Sequence, residues 1–169
     1  NVITKSGGNL FHGDLFTYFQ NKSWTPSGVI RRQNKELITN ADRDSFSDVG
    51  GSVGGPIKRD SVWFFGAFDP IRRTVFVGGT SEDAGPVDRQ YERKANVYAG
   101  KLTWTPKSGN TLVFTAFGDP TTRKGWLTNP NADESSAIRN EETGSTNYSV
   151  RYNATLRPTW LLETSVGRH

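Results

Sequence analysis

The sequence contains no cysteine, and this absence excludes several classes of site chemistry. Disulfide frameworks, cysteine-ligated zinc, iron–sulfur clusters and thiol nucleophiles all require this residue. Methionine is also absent, and the chain begins at Asn1 without the charged and apolar segments of a secretory leader. We therefore expect the 169 residues to be a piece of a longer or processed chain.

Long apolar runs are lacking as well. No stretch reaches the about 18 apolar residues that a transmembrane helix needs, which excludes that kind of span. The strands of a transmembrane barrel need only about 10 residues of alternating character, so they are not excluded. Aromatic residues make up 12% of the chain and glycines number 18, a composition that favours strands and turns. The net charge of +4 is compatible with nucleic acid, an anionic membrane surface or no partner.

Seven runs of residues have the length and composition of β-strands. Pro56, Pro106 and Pro158 lie at short polar breaks, whereas the other connections are long and rich in Asn, Asp, Ser and Gly. Short and long connections therefore alternate. Pro86–Lys94 and Asp133–Glu142 are alternative candidates for short loop helices. The predicted strands are Phe11–Phe19, Phe46–Ile57, Val62–Arg73, Ala95–Thr105, Thr111–Thr122, Asn147–Arg157 and Leu161–Gly167, and the long connections are 21–45, 75–90 and 124–145.

The sixth run shows the clearest two-faced pattern. Apolar residues at Tyr148, Val150, Tyr152, Ala154 and Leu156 alternate with polar residues at the positions between them. Strands of ten or more residues are long for a soluble sandwich and suit a tilted span of a membrane. We therefore predict an all-β fold in which about seven antiparallel up-and-down strands form part of a large transmembrane β-barrel.

Aromatic residues lie where the two membrane interfaces of a barrel are expected. Trp63, Trp104 and Trp160 lie within a few residues of short turns and predict an aromatic girdle on the turn side. One alternative is a soluble β-propeller or sandwich that binds carbohydrate through Trp24 and Trp126 in the loops. A second alternative is a surface barrel without transport, either adhesin-like or part of a surface layer.

Three pairs of basic residues lie at the long-loop ends of consecutive runs. In a barrel they would form one belt at the outer rim, where lipid A phosphates accept charge-assisted hydrogen bonds. Adjacent residues of a strand point to opposite faces, so only one of each pair can reach lipid directly. A solvated rim without lipid contacts is the alternative. The six residues are Arg72, Arg73, Arg93, Lys94, Arg123 and Lys124.

No pattern of catalytic or metal-ligating residues accompanies these runs. Gly50–Gly55 lacks the Lys-Ser or Lys-Thr of a phosphate loop and is better explained by a bend or a close approach of another backbone segment. His12 and Asp14 have no nucleophile motif or metal-ligand spacing beside them, and the loop 129–133 lacks the glycine of a calcium site. We expect no enzyme activity, no metal, no cofactor and no nucleic-acid partner.

The resemblance to a known family is specific over about residues 1–70. The matching segments are Asn1–Asn9, Phe11–Phe19 and, above all, Gly50-Gly51-Ser52-Val53-Gly54-Gly55-Pro56-Ile57-Lys58 continuing through Trp63-Phe64-Phe65-Gly66. They are similar to the TonB-dependent outer-membrane receptors, in the Oar-like branch whose barrels follow a carboxypeptidase-regulatory-like domain. The resemblance implies the end of a plug at residues 1–8 and the first strands of an incomplete barrel at residues 9–169.

The resemblance also implies a location and a function. The barrel would lie in the outer membrane of a Gram-negative bacterium and take part in energised transport of a large or scarce solute. A TonB-type energy coupler would act through regions outside this chain. Extracellular loops would capture the solute, and the polar strand faces would line its path once the plug moves.

Overall fold

The structure is a computed structural model that describes residues 5–24, 29–31, 37–39, 43–81, 85–127 and 138–168. Most of these residues are in β-strands, and a 3₁₀ turn covers Lys22–Trp24. No helix in the described part of the chain is long and apolar enough to cross a membrane. The strands are β1 (His12–Gln20), β2 (Val29–Arg31), β3 (Leu37–Thr39), β4 (Arg43–Lys58), β5 (Val62–Ser81), β6 (Gly85–Lys107), β7 (Asn110–Gly118), β8 (Thr121–Leu127), β9 (Ile138–Thr143), β10 (Thr146–Arg157) and β11 (Trp160–Arg168).

Nine of these strands form one antiparallel sheet. Its main path is β1-β4-β5-β6-β7-β10-β11, so each long strand lies beside the next long strand of the chain, an up-and-down arrangement. β8 pairs with β6 and β9, and β2 and β3 form a separate ribbon. Among the described residues, β1 and β11 are the edges of the path and do not pair with each other. The sheet is therefore open within the described residues.

The seven predicted strands all lie on or beside this path, and the all-β prediction is confirmed. The prediction of a long loop at 75–90 is wrong. β5 extends to Ser81 and β6 begins at Gly85, and their register continues without interruption to the end of β5. The helix alternative for Pro86–Lys94 is wrong for the same reason. Continued pairing satisfies the backbone hydrogen-bonding groups of both strands, which outweighs the loop-like composition of this segment.

The fifth predicted strand is divided in two at Pro120. β7 pairs with β6 before this break, and β8 takes over the same edge of β6 after it. Proline has no N–H with which to continue the ladder, but the Pro120 carbonyl accepts a hydrogen bond from Asn96 N at 3.0 Å. β8 and β9 form a hairpin inside the third long connection. The described part of the second helix candidate, 138–142, is therefore strand and not helix.

The three predicted short connections are present and lie at one end of the sheet, the turn end. They are residues 59–61, 108–109 and 158–159, each following a strand that runs in the same direction. Asp60 (φ 60°) and Gly109 (φ 76°) supply the left-handed backbone that two of these tight turns need. The opposite end, where the longer connections of the main path lie, is called the loop end.

The register assigns every side chain of the sheet to one of two faces. Opposed residues on neighbouring strands share a face, as do alternate residues of one strand. The apolar face includes Leu15, Val49, Val53, Phe64, Phe68, Leu102, Trp104, Leu112, Phe114, Val150, Tyr152, Leu162 and Val166. The polar face includes Asp14, Asp48, Ser52, Asp69, Lys101, Thr103, Thr115, Asn147, Ser149, Arg151, Asn153 and Glu163. The alternation predicted for the sixth strand is therefore present in β10.

The apolar face has no protein cover within the described part of the chain. Leu15 exposes 84%, Phe68 52% and Val166 71% of its surface. A sheet in water would bury such a face against a second layer, whereas lipid covers it in a bilayer. β1, β7 and β11 are nine residues long, a length that spans a bilayer when the strand is tilted. The buried apolar residues of the described segments are Phe65, Val75, Ala95 and Ala154.

Candidate functional site

The chain that precedes β1 lies against the polar face. Lys5 Nζ lies 3.6 Å from Asp14 Oδ1 on β1, and Lys101 Nζ on β6 donates a hydrogen bond to Ser6 Oγ at 2.7 Å. Asp14 also accepts a hydrogen bond from Ser52 Oγ on β4 at 2.5 Å. Residues 5 and 6 are therefore held on the polar face of the sheet.

The polar face carries an open groove of about 700 Å³. Lys5, Asp14 and Asp69 line it together with several apolar side chains, among them Phe65 and Phe117. Asp48 Oδ1, Asp69 Oδ1 and Asn153 Oδ1 are buried and have no hydrogen-bond partner within the described part of the chain. Buried polar atoms of this kind need a partner: the neighbouring carboxyl groups of Asp48 and Asp69 can share a proton, and Asn153 needs water or another polypeptide segment. The face is therefore suited to a wet or protein-filled lumen.

Aromatic side chains and the segment before β1 both lie close to the glycine-rich run of β4. Gly50 and Gly55 lie beneath the rings of Phe16 and Phe11, and a Cβ at either glycine would overlap the ring. Gly7, in the segment before β1, also passes close to the sheet, because a Cβ there would lie 3.0 Å from the Gly55 carbonyl oxygen. The rings of Phe16 in β1 and of Phe11 just before it are a cause for these glycines that the sequence analysis missed, and a close approach to a plug stays a prediction.

The register brings the six predicted basic residues together on three adjacent strands at the loop end. Arg73, Arg93 and Arg123 are opposite one another on β5, β6 and β8, on the side of the polar face. Arg72 and Lys94 are opposite each other on the side of the apolar face. Because these rows are adjacent, the six residues occupy a narrow band of the sheet.

The basic residues on the side of the apolar face differ in how they are bonded. The Arg72 guanidinium donates to two backbone carbonyls at 3.0 Å and to Asn96 Oδ1 at 2.9 Å, which ties it to the β5–β6 ladder. Lys94 Nζ lies 3.1 Å from Glu92 Oε2, and Lys124 is opposite Glu92 in the register. Contact with lipid phosphates stays a prediction, and it now rests on Lys94 and Lys124.

Comparison with known proteins supports what the two faces indicate. Residues 3–81 match a family model described as an outer membrane beta barrel domain. In an alignment 154 positions long that covers 74% of this chain, the sequence is 30% identical to the TonB-dependent transporter Oar of Myxococcus xanthus. The chain spans 14% of the length of that relative. No solved structure matches the chain.

The chain is part of an Oar-like outer-membrane β-barrel of the TonB-dependent family. Its location is the outer membrane of a Gram-negative bacterium. The soluble propeller or sandwich alternative is therefore wrong. A soluble domain would not leave an apolar face of this extent uncovered.

The three turn-end tryptophans of the Oar-like barrel are divided between the faces. Trp104 lies on the apolar face, and Trp160 lies on the same side by alternation with Leu162. Trp63 lies on the polar face, and its indole N–H donates to Asn9 Oδ1 at 2.8 Å. A girdle toward lipid stays a prediction for Trp104 and Trp160, which are both exposed.

The remaining candidates of the sequence analysis lie apart from the groove. Trp24 ends the 3₁₀ turn and is exposed, whereas Trp126 lies in β8, where its register partner is Arg139. His12 lies opposite Gly54 at the start of β1. The calcium-like loop 129–133 is outside the described residues. The described segments contain no group of three His, Asp or Glu residues placed to hold a metal ion.

Proposed function

We propose that this Oar-like barrel belongs to a transporter that moves a large or scarce solute across the outer membrane with energy from a TonB-type partner. The class of the matching relative, a TonB-dependent transporter, supports this proposal. Residues 1–8 would form the junction between a plug and the barrel, and residues 9–169 would form barrel wall. The wall would guide solute and perform no covalent chemistry.

The position of the chain before β1 is the observation that carries the proposal. Lys5 and Ser6 contact Asp14 and Lys101 on the polar face. A plug that fills the lumen must leave it along this face before it reaches the first strand. Exposed ion pairs contribute little to stability, so such contacts break and form again at small cost. Weak contacts suit a junction that moves when an energy coupler pulls on the plug.

The polar face supplies a path once the plug has moved. The buried oxygens of Asp48, Asp69 and Asn153 would then meet water. The polar side chains of β7 and β10, including Thr115 and Ser149, would form a hydrated wall beside them. A hydrated wall lets a polar solute exchange its water for hydroxyl and amide groups without a large desolvation cost.

A labelling experiment in intact cells tests the proposal without knowledge of the solute. Ser149 and Val150 are adjacent on β10 but lie on opposite faces, so Ser149→Cys and Val150→Cys in the full-length protein form a matched pair. An impermeant maleimide should label Ser149→Cys several-fold faster when the energy coupler is present and the cells are energised. Val150→Cys should stay slow throughout.

The same experiment separates transport from the surface-barrel alternative. An uncoupler, or deletion of the coupler gene, should slow the labelling of Ser149→Cys to the unenergised rate. If Ser149→Cys is labelled at one rate under all three conditions, the barrel is a static surface protein and the transport proposal is wrong.

A further inference from the structure

The loop end of the polar face carries a feature that barrel architecture does not require. Arg73, Arg93 and Arg123, the arginine row, are register partners on three adjacent strands. Like charges directly opposite each other destabilise a sheet, whereas opposite charges in these positions stabilise it. A row of three guanidinium groups is therefore poorly explained by stability alone.

The two outer members of the arginine row have carboxylate partners. Arg73 Nε and Nη2 lie 2.9 and 2.8 Å from Asp44 Oδ2 on β4, and Arg123 Nη1 lies 3.3 Å from Glu141 Oε2 on β9. Arg93, in the centre, makes no ion pair with any carboxylate of the described segments. Within the described segments, the central arginine is thus the member of the row that has no carboxylate partner.

A small cavity of about 200 Å³ lies among the three arginines and Tyr91. It is smaller than the about 300–1,000 Å³ of pockets that enclose a whole ligand, so it suits one group of a larger molecule. Guanidinium forks match the geometry of phosphate and carboxylate oxygens through paired hydrogen bonds. Asp44 and Glu141 hold the outer arginines in place, which leaves Arg93 to supply the unpaired charge.

We propose that the arginine row binds an oxyanion group, phosphate or carboxylate, of the solute as it enters the barrel at the loop end. This inference rests on the proposed transport function but concerns a binding property that is measured without transport. Lipid headgroups are the other source of such oxyanions. The row lies on the polar face, whereas Lys94 and Lys124 lie on the side that faces lipid.

Calorimetric titration of the full-length protein in detergent tests the inference, with tripolyphosphate and citrate as probes at low ionic strength. Arg93→Gln and Lys94→Gln remove the same charge from adjacent positions on opposite faces. Arg93→Gln should weaken binding by about tenfold or more, and Lys94→Gln should change it little. Arg93→Lys keeps the charge without the fork and should give an intermediate affinity. Added salt should weaken binding by the unchanged protein.

Each outcome supports the inference or overturns it. Heat-modifiable migration in gel electrophoresis checks that every variant has a folded barrel. Equal weakening by Arg93→Gln and Lys94→Gln would indicate a general surface potential, and a larger effect of Lys94→Gln would place the anion on the lipid side. Either result overturns the assignment of oxyanion binding to the arginine row. The assignment is also overturned if neither tripolyphosphate nor citrate binds. If the labelling of Ser149→Cys does not depend on the energy coupler, the transport proposal is wrong, but the inference of oxyanion binding is unaffected.

Discussion

The indole N–H of Trp63 and the backbone N–H of Asp60 donate to the same oxygen, Oδ1 of Asn9, at 2.8 and 3.0 Å. Asn9 Nδ2 in turn donates to Asp60 Oδ1 at 2.5 Å. One side chain therefore ties the segment before β1 to the β4–β5 turn. Asp60 has the left-handed backbone that L residues seldom adopt, so these bonds also hold the turn in its shape.

Asn9→Ala should lower the free energy of unfolding, because it leaves the Trp63 and Asp60 donors without their protein acceptor. The groups are exposed and water replaces the lost bonds in part, so the expected loss is about 1 kcal/mol. Denaturant titration of the full-length protein in lipid vesicles measures it. Ser108→Ala, in the exposed β6–β7 turn, is the control, and an equal loss in both variants would contradict the role of Asn9.

Tyr152 and Arg151 test the assignment of the two faces in β10. Tyr152 lies on the apolar face, where its hydroxyl donates to Asn110 Oδ1 at 2.6 Å. Near mid-membrane, Tyr152→Arg should cost about 2–4 kcal/mol, since it places a charge in lipid. Arg151→Ala removes an exposed pair with Glu163 at 3.6 Å and should cost about 0–1 kcal/mol. Refolding titrations in lipid that gave the reverse order would exchange the faces.

Cysteine labelling tests which end of the sheet lies outside the cell. The chain has no native cysteine, so Ser23→Cys at the loop end and Ser108→Cys at the turn end add single sites to it. Short turns of such barrels face the periplasm and longer loops face outward. An impermeant maleimide should label Ser23→Cys in intact cells and Ser108→Cys only after permeabilisation. The opposite pattern would invert the orientation.

Lys94 and Lys124 test whether the rim contacts lipid phosphates. Both lie on the lipid-facing side, and several weak charge-assisted contacts add together. Lys94→Gln combined with Lys124→Gln should lower the ratio of lipid A to protein after purification, measured by mass spectrometry. Arg93→Gln, on the polar face, should leave this ratio unchanged. An unchanged ratio in the double variant would favour the alternative of a merely solvated rim.

Local pattern made much of the fold predictable. The period of two in β10 assigns Tyr152 and Arg151 to opposite faces without knowledge of any neighbouring strand. The breaks near Pro106 and Pro158 predict the turns that join β6 to β7 and β10 to β11. The loop prediction at 75–90 failed because the composition of Gly78 and Gly79 indicates a turn, whereas pairing between β5 and β6 continues through them.

The sequence by itself determined that this chain forms two-faced strands joined by tight turns, since alternation and turn chemistry depend on residues close together in the chain. Only the tertiary structure decided which distant residues meet. Arg93 is opposite Arg123 because β8 replaces β7 at the edge of β6 after Pro120. Trp63 bonds to Asn9 across more than fifty residues. Such contacts depend on which strands and segments become neighbours, and the alternation within one strand does not specify its neighbours.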